Sequence, residues 1–148
     1  MSFELKELGI KDIERIKSFF VAVFTEAPWN DNWSDEEQLH AYMLDLIGNR
    51  NSLTLGFFEN DSMVGLAMGE IKHWYEGTEY FINELCIKRE EQGRGLGTQF
   101  LAQIGQCVKR RGVKNLFLLT ERNMPAYEFY RKNSFIELEN NVALFKGC

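Results

Sequence analysis

Histidine and cysteine are scarce in this 148-residue chain, and their scarcity excludes several chemistries. The two histidines, His40 and His73, and the three cysteines, Cys86, Cys107 and Cys148, form no pair at metal-ligand spacing, so no metal site is expected. An odd number of widely spaced cysteines reads as free thiols in a reducing compartment rather than as a disulfide framework. Long apolar runs are missing too. Stretches such as residues 116–119 are far too short to span a bilayer, and the opening residues lack the basic start and apolar run of an export signal. A surplus of positive charge is also absent. Seventeen Lys and Arg against twenty-two Asp and Glu leave a net charge of −5, which argues against a general duplex-DNA binder. The expectation is a soluble, cytoplasmic protein that engages neither nucleic acid nor membrane.

What is present suits a globular fold. The chain is 45% apolar and 14% aromatic, enough for a substantial core, and its length fits one domain over residues 1–148. Charge is distributed unevenly. Residues 1–87 carry 16 acids and 6 bases, whereas residues 88–148 carry 6 acids and 11 bases, and no Lys or Arg occurs between Ser18 and Asn49. Two differently solvated faces would account for this asymmetry. So would a protein that holds an anionic ligand with its C-terminal half and a cationic one with its N-terminal half.

Periodicity outlines the elements. Residues 3–8 read as a strand, and Ile13, Ile16, Phe19, Phe20 and Val23 recur at helical spacing until Pro28. Ser34 followed by Glu37 is a capping-box signature opening a second helix, with Leu39, Tyr42, Met43 and Leu46 inward. Three strands follow, over residues 52–58, 63–71 and 78–88. A glycine cluster then leads into a helix with the stripe Leu96, Phe100, Leu101, Ile104 and Val108. Residues 115–120 read as a buried strand, and Asn123 as the cap of a helix with Pro125 in its first turn. Residues 135–138 and 142–146, joined at Asn140 and Asn141, read as a closing hairpin. The order βααβββαβαββ predicts a mixed α/β (α+β) domain: one mostly antiparallel sheet flanked by helices.

The segment Gln92-Gly93-Arg94-Gly95-Leu96-Gly97-Thr98 passes from strand through turn into helix. Glycines at alternate positions bare the backbone where free amides and the positive dipole end converge, which makes an anion cradle. Arg94 and Thr98 can add donors. No Gly-Lys-Ser or Gly-Lys-Thr is present, and Phe100 stands where a dinucleotide loop starting at Gly95 needs its third glycine, so neither nucleotide motif applies. A glycine-rich turn without a ligand is the alternative.

This turn resembles the Gln/Arg-x-x-Gly-x-Gly/Ala signature of the GNAT superfamily of acetyl-CoA-dependent N-acetyltransferases. The segment from Asn123 to Phe135 is similar to that superfamily's later Asn-x-x-Ala-x-x-x-Tyr-x-x-x-Gly-Phe element, with Asn133 and Ser134 where glycine is usual. The resemblance implies that the turn, from Gln92 and Gly93 through Arg94, Gly95, Leu96, Gly97 and Thr98, binds the diphosphate of acetyl-CoA. It implies that the pantetheine arm follows Leu85, Cys86 and Ile87 into a splay beside the 115–120 strand. Asn123 would bond the arm or position its helix, and Tyr130 would lie near the thioester sulfur. Such folds are commonly dimeric, which leaves a homodimer open.

Direct acyl transfer to an amine needs a base, an oxyanion donor and an acid for the departing thiolate, but no enzyme nucleophile. Glu84 is the first choice of base: it shares a strand face with Cys86 and lies where the thioester would pass. A solvated or ion-paired glutamate is the alternative for it, and Glu70, Glu79 and His73 are weaker candidates. Tyr130 is the candidate acid, or else a core aromatic beside Ala126 and Phe129. Trp29, Asn30 and Trp33 form either a wall for a cationic small-molecule or peptide amine or a hydrophobic cover, and Trp74 could close the other side. The sequence thus points to N-acetylation of a cationic acceptor of aminoglycoside, polyamine or basic-peptide type. A non-catalytic acetyl-CoA sensor or interaction module is the rival.

Overall fold

The computed structural model describes residues 2–148. Strand β1 (Phe3–Leu8) leads through a single 3-10 turn into α1 (Ile13–Phe24), followed by α2 (Glu36–Leu46). Strands β2 (Ser52–Glu59), β3 (Ser62–Trp74) and β4 (Gly77–Ile87) form a meander. After them come α3 (Leu96–Lys109), β5 (Asn115–Leu118) and α4 (Pro125–Lys132). The sheet order is β1-β2-β3-β4-β5, antiparallel except for β4 and β5. That pair is parallel because a parallel neighbour needs a crossover, which α3 supplies.

Each sheet face buries a separate apolar layer. Leu96, Phe100, Ile104 and Val108 of α3 pack on Leu53, Leu55, Phe57, Tyr80 and Ile82. On the opposite face, Ile16, Phe20, Val23 and Phe24 of α1 and Leu39, Met43 and Leu46 of α2 cover Leu66, Met68 and Cys86. Burying each such side chain contributes about 1.5–3 kcal/mol, so both layers are needed to offset chain entropy.

Three local expectations are corrected. The cap of α2 is Asp35, not Ser34: its carboxylate accepts from the Gln38 amide at 3.1 Å. The residue before α4 is Met124 rather than Asn123, and Pro125 fills the first helical position without needing its missing N–H. Residues 135–138 and 142–146 form no strands, so the last two β elements of the expected order are absent among the described residues. Their turn does form, with Asn141 N donating to Leu138 O at 3.1 Å. The flanks, however, find no third layer: Val142, Leu144 and Phe145 are 75%, 91% and 97% exposed. A two-stranded ribbon that buries nothing is marginal in water. The mixed α/β class stands without that ribbon.

Candidate active site

Alternation along β4 is broken at one point. Met68 faces Glu84 and Gly69 faces Ile82, which leaves Asn83 as an extra residue without a partner on β3. One extra residue exchanges the faces of everything after it. Tyr80 and Ile82 therefore point into the α3 layer, whereas Cys86 points into the α1–α2 layer, and Glu84 reaches α2 on the same side. Glycine is required opposite the bulge, because a Cβ on Gly69 would lie 2.2 Å from the Phe81 carbonyl oxygen. The Asn83 Oδ1 is buried there with no hydrogen-bond partner.

Glu84 Oε2 accepts a hydrogen bond from the Tyr42 hydroxyl. Burial pushes the Glu84 pKa up, the Tyr42 bond lowers it, and the Asp31 charge raises it further, the net direction being upward. A carboxylate so placed is a stronger base than an exposed one. The other weighed candidates sit away from it. Glu70 pairs with Lys72 at 3.4 Å, and Glu79 and His73 lie near the β3–β4 hairpin tip.

β4 and β5 pair from Glu79/Asn115 to Ile82/Leu118 and no further. Beyond that point Leu85, Cys86 and Ile87 keep β3 on one side and leave an unpaired edge on the other. This parting opens directly before the glycine turn. Gln92 Nε2 donates to the Ile87 carbonyl at 3.0 Å, tying the turn to the strand end. Gly93 and Gly95 adopt φ of +84° and +75°, with open space where a Cβ would stand, and Gly95 is the N-cap of α3. The Arg94 guanidinium bonds Glu91 at 2.6 Å and Glu59 at 3.3 Å, and so braces the turn from outside. Leu96 is buried in the core, while Thr98 is exposed. The first amides of a helix lack acceptors within it, so this end can hold an anion.

α4 packs against the start of α3. A Cβ on Gly97 would lie 2.8 Å from the Phe129 ring, so glycine there permits α4 to seat against α3. Tyr130 is buried, packed edge-on to Phe129 and Phe135 at 5.3 Å each. Burial, then the charges of Cys86 and Glu84, push its hydroxyl pKa well above the ordinary value, so Tyr130 keeps its proton. The helix ends with Phe135 N donating to Tyr130 O at 3.1 Å and Ser134 N to Arg131 O at 3.2 Å. Of the two residues that stand where glycine is usual, Ser134, with φ +71°, takes the left-handed position. Asn133 instead caps with Nδ2 on the Phe129 carbonyl at 2.8 Å. Asn123 lies exposed in the turn preceding α4.

Aromatic rings line the α2 side of Glu84. Trp33 stacks on Tyr42 at 5.3 Å and meets Phe20 edge-on at 5.4 Å, and its buried Nε1 has no partner. Trp29 packs edge-on to Phe24 at 5.1 Å, with Asn30 exposed beside it. Trp74 does not join them. It pairs with Gly77 at the hairpin tip, seven residues before Glu84 on β4, a separation on the order of 20 Å. Tyr42 is a neighbour of Glu84 that sequence reasoning missed. Tyr42 reads as one more position in the apolar stripe of α2, and nothing in its spacing signals a bond to a residue 42 positions away.

A family model described as Acetyltransferase (GNAT) family matches residues 14–135. No curated protein is similar enough in sequence to count as a match. Among solved structures, a possible acetyltransferase from Clostridium difficile 630 superposes with a TM-score of 0.81 at 18% identity, covering 100% of this chain and 99% of that one. The aminoglycoside acetyltransferase meta-AAC0020 from an uncultured soil metagenomic sample, in complex with sisomicin, gives 0.74 at 20% identity over 99% and 96% of the chains. Aminoglycoside N-acetyltransferase AAC(6')-Iy in complex with CoA gives 0.73 at 14% identity, again over 99% and 96%. With the parted strands, the glycine turn and the model match all in register, this chain belongs to the GNAT acetyltransferase family.

Proposed function

We propose that this protein transfers an acetyl group from acetyl-CoA directly to a primary amine of a small cationic acceptor. One observation carries the reading. The gap between β4 and β5 opens beside the bare N-terminus of α3, with Glu84 and Tyr130 in the charge environment of the same strand. The residues fit the coenzyme: two open left-handed glycines and unpaired helix amides suit a diphosphate, and the free edge at Leu85, Cys86 and Ile87 suits an amide-bearing arm. Asn123, exposed in the turn before α4, is the contact that the family resemblance implies for that arm. When bound, the coenzyme supplies a thioester.

The chain's own groups do the rest. Trp29, Asn30 and Trp33, with the surrounding acids, hold the cationic acceptor beside Glu84. Glu84 takes the proton of the attacking nitrogen as the C–N bond forms. A backbone N–H near Cys86 or Ile87 donates to the carbonyl oxygen as charge develops. Tyr130 gives its proton to sulfur as the C–S bond breaks. The acidic N-terminal half favours polycations, and the sisomicin complex of a structural relative supports testing aminoglycosides first.

A thiol-release assay with acetyl-CoA against amines of different charge and size tests the reading. Turnover is expected with a polycationic amine and not with an anionic one. Calorimetric binding of acetyl-CoA without turnover on any amine would favour the sensor instead. Absence of binding would remove both.

A further inference from the structure

The hydrogen bond from Tyr42 to Glu84 joins α2 to β4, and the chemistry above makes no use of it. Tyr42 is constrained twice. Its ring lies nearly parallel to Trp33, at 12° and 5.3 Å, with Phe20 at 6.0 Å, while its hydroxyl ends on Glu84 Oε2. A phenol held by stacking at one end and by a hydrogen bond at the other holds one oxygen of the carboxyl group in place. Among the described residues no other side chain hydrogen-bonds the Glu84 carboxyl group.

We propose that Tyr42 is the positioning residue for Glu84: it occupies Oε2 and presents Oε1 to the acceptor amine. The inference rests on the reading of Glu84 as base. In the transfer step the proton leaving nitrogen goes to Oε1, and Tyr42 retains its own.

Charge supports the geometry. The groups facing Glu84 are Tyr42 from α2, Asp31 from the loop before α2, Cys86 on its own strand and Tyr130 from α4, with Asp45 acting on Tyr42. Burial and Asp31 favour the neutral carboxyl, whereas the Tyr42 bond favours the carboxylate. Burial, the Glu84 bond and the charges of Glu84, Asp31 and Asp45 all raise the Tyr42 pKa, so it remains a donor.

The test is a 13C-carboxyl NMR titration of the full chain without ligand, with Glu84→Gln identifying the Glu84 resonance. Tyr42→Phe keeps the ring and its stacking while removing the donor. The Glu84 midpoint is expected to rise by about one pH unit, a tenfold change in acid constant. An unchanged or lowered midpoint overturns the proposal. A second measurement needs no substitution: the Tyr42 ζ-carbon in the native protein must titrate with the Glu84 midpoint, and an independent titration also overturns it. Kinetics separate this inference from the one beneath it. Tyr42→Phe should move the acid-side limb of kcat upward with acetyl-CoA affinity unchanged. If Glu84→Gln leaves that limb in place, Glu84 is not the base. If Glu84→Gln abolishes it but Tyr42→Phe does not move it, the role of Tyr42 alone fails.

Discussion

The two halves of β4 make an instructive contrast. From Glu79 to Ile82 the strand is paired on both edges, and its inward side chains are apolar and packed under α3. From Glu84 to Ile87 it is paired on one edge, and a carboxyl group lies on the opposite face among aromatic rings of α1, α2 and their loop. One unpaired residue, Asn83, separates the regimes. The first half is ordinary sheet, whose backbone groups are all engaged. The second withholds backbone donors from the sheet and carries its titratable group inward. On the proposed function, fold stability and chemistry thus fall to successive segments of one strand.

Breaking the functional half should have the largest effect. Glu84→Gln is expected to lower acetyl transfer by roughly 10²–10⁴-fold. It should also abolish the acid-side limb of the pH–rate profile. The sign follows from the raised pKa: the ionised form is the base, so native activity falls as pH drops through that value. Steady-state rates across pH check both points. Gly69→Val attacks the bulge that divides the halves. Its side chain would meet the Phe81 carbonyl, and a loss of about 3 kcal/mol in urea unfolding is expected. Gly95→Val should cost only about 1–2 kcal/mol of stability, because its penalty is the left-handed backbone and not a clash. It should nevertheless weaken acetyl-CoA binding measured by calorimetry at least tenfold, since its side chain would project into the cradle. Leu144→Asp should change stability by less than about 0.5 kcal/mol, as an exposed tail predicts. A larger loss would mean that the tail packs against something.

Much of this was readable beforehand, for stated reasons. The stripes of α1 and α3 have one solution at 3.6 residues per turn, and the alternate glycines before Leu96 demand a turn. The readings failed where a partner had to be known. Val142 to Phe145 has a strand-like pattern, but pattern does not supply a neighbouring edge. Trp74 stands in sequence near Glu84 yet is held apart by the length of the extended strand. Tyr42 meets Glu84 only because the bulge turns Glu84 towards α2, and a bulge leaves no local signature in Ile82-Asn83-Glu84.

The bare first turn of α3 has one more effect. Because Gly97 lets the ring of Phe129 settle against it, the segment proposed to grip phosphate is packed directly against the segment that carries Tyr130. If the proposed assignments hold, occupying the grip would be felt one helix away, at the hydroxyl group assigned to protonate sulfur, with no need for a hinge or a moving loop to carry the message.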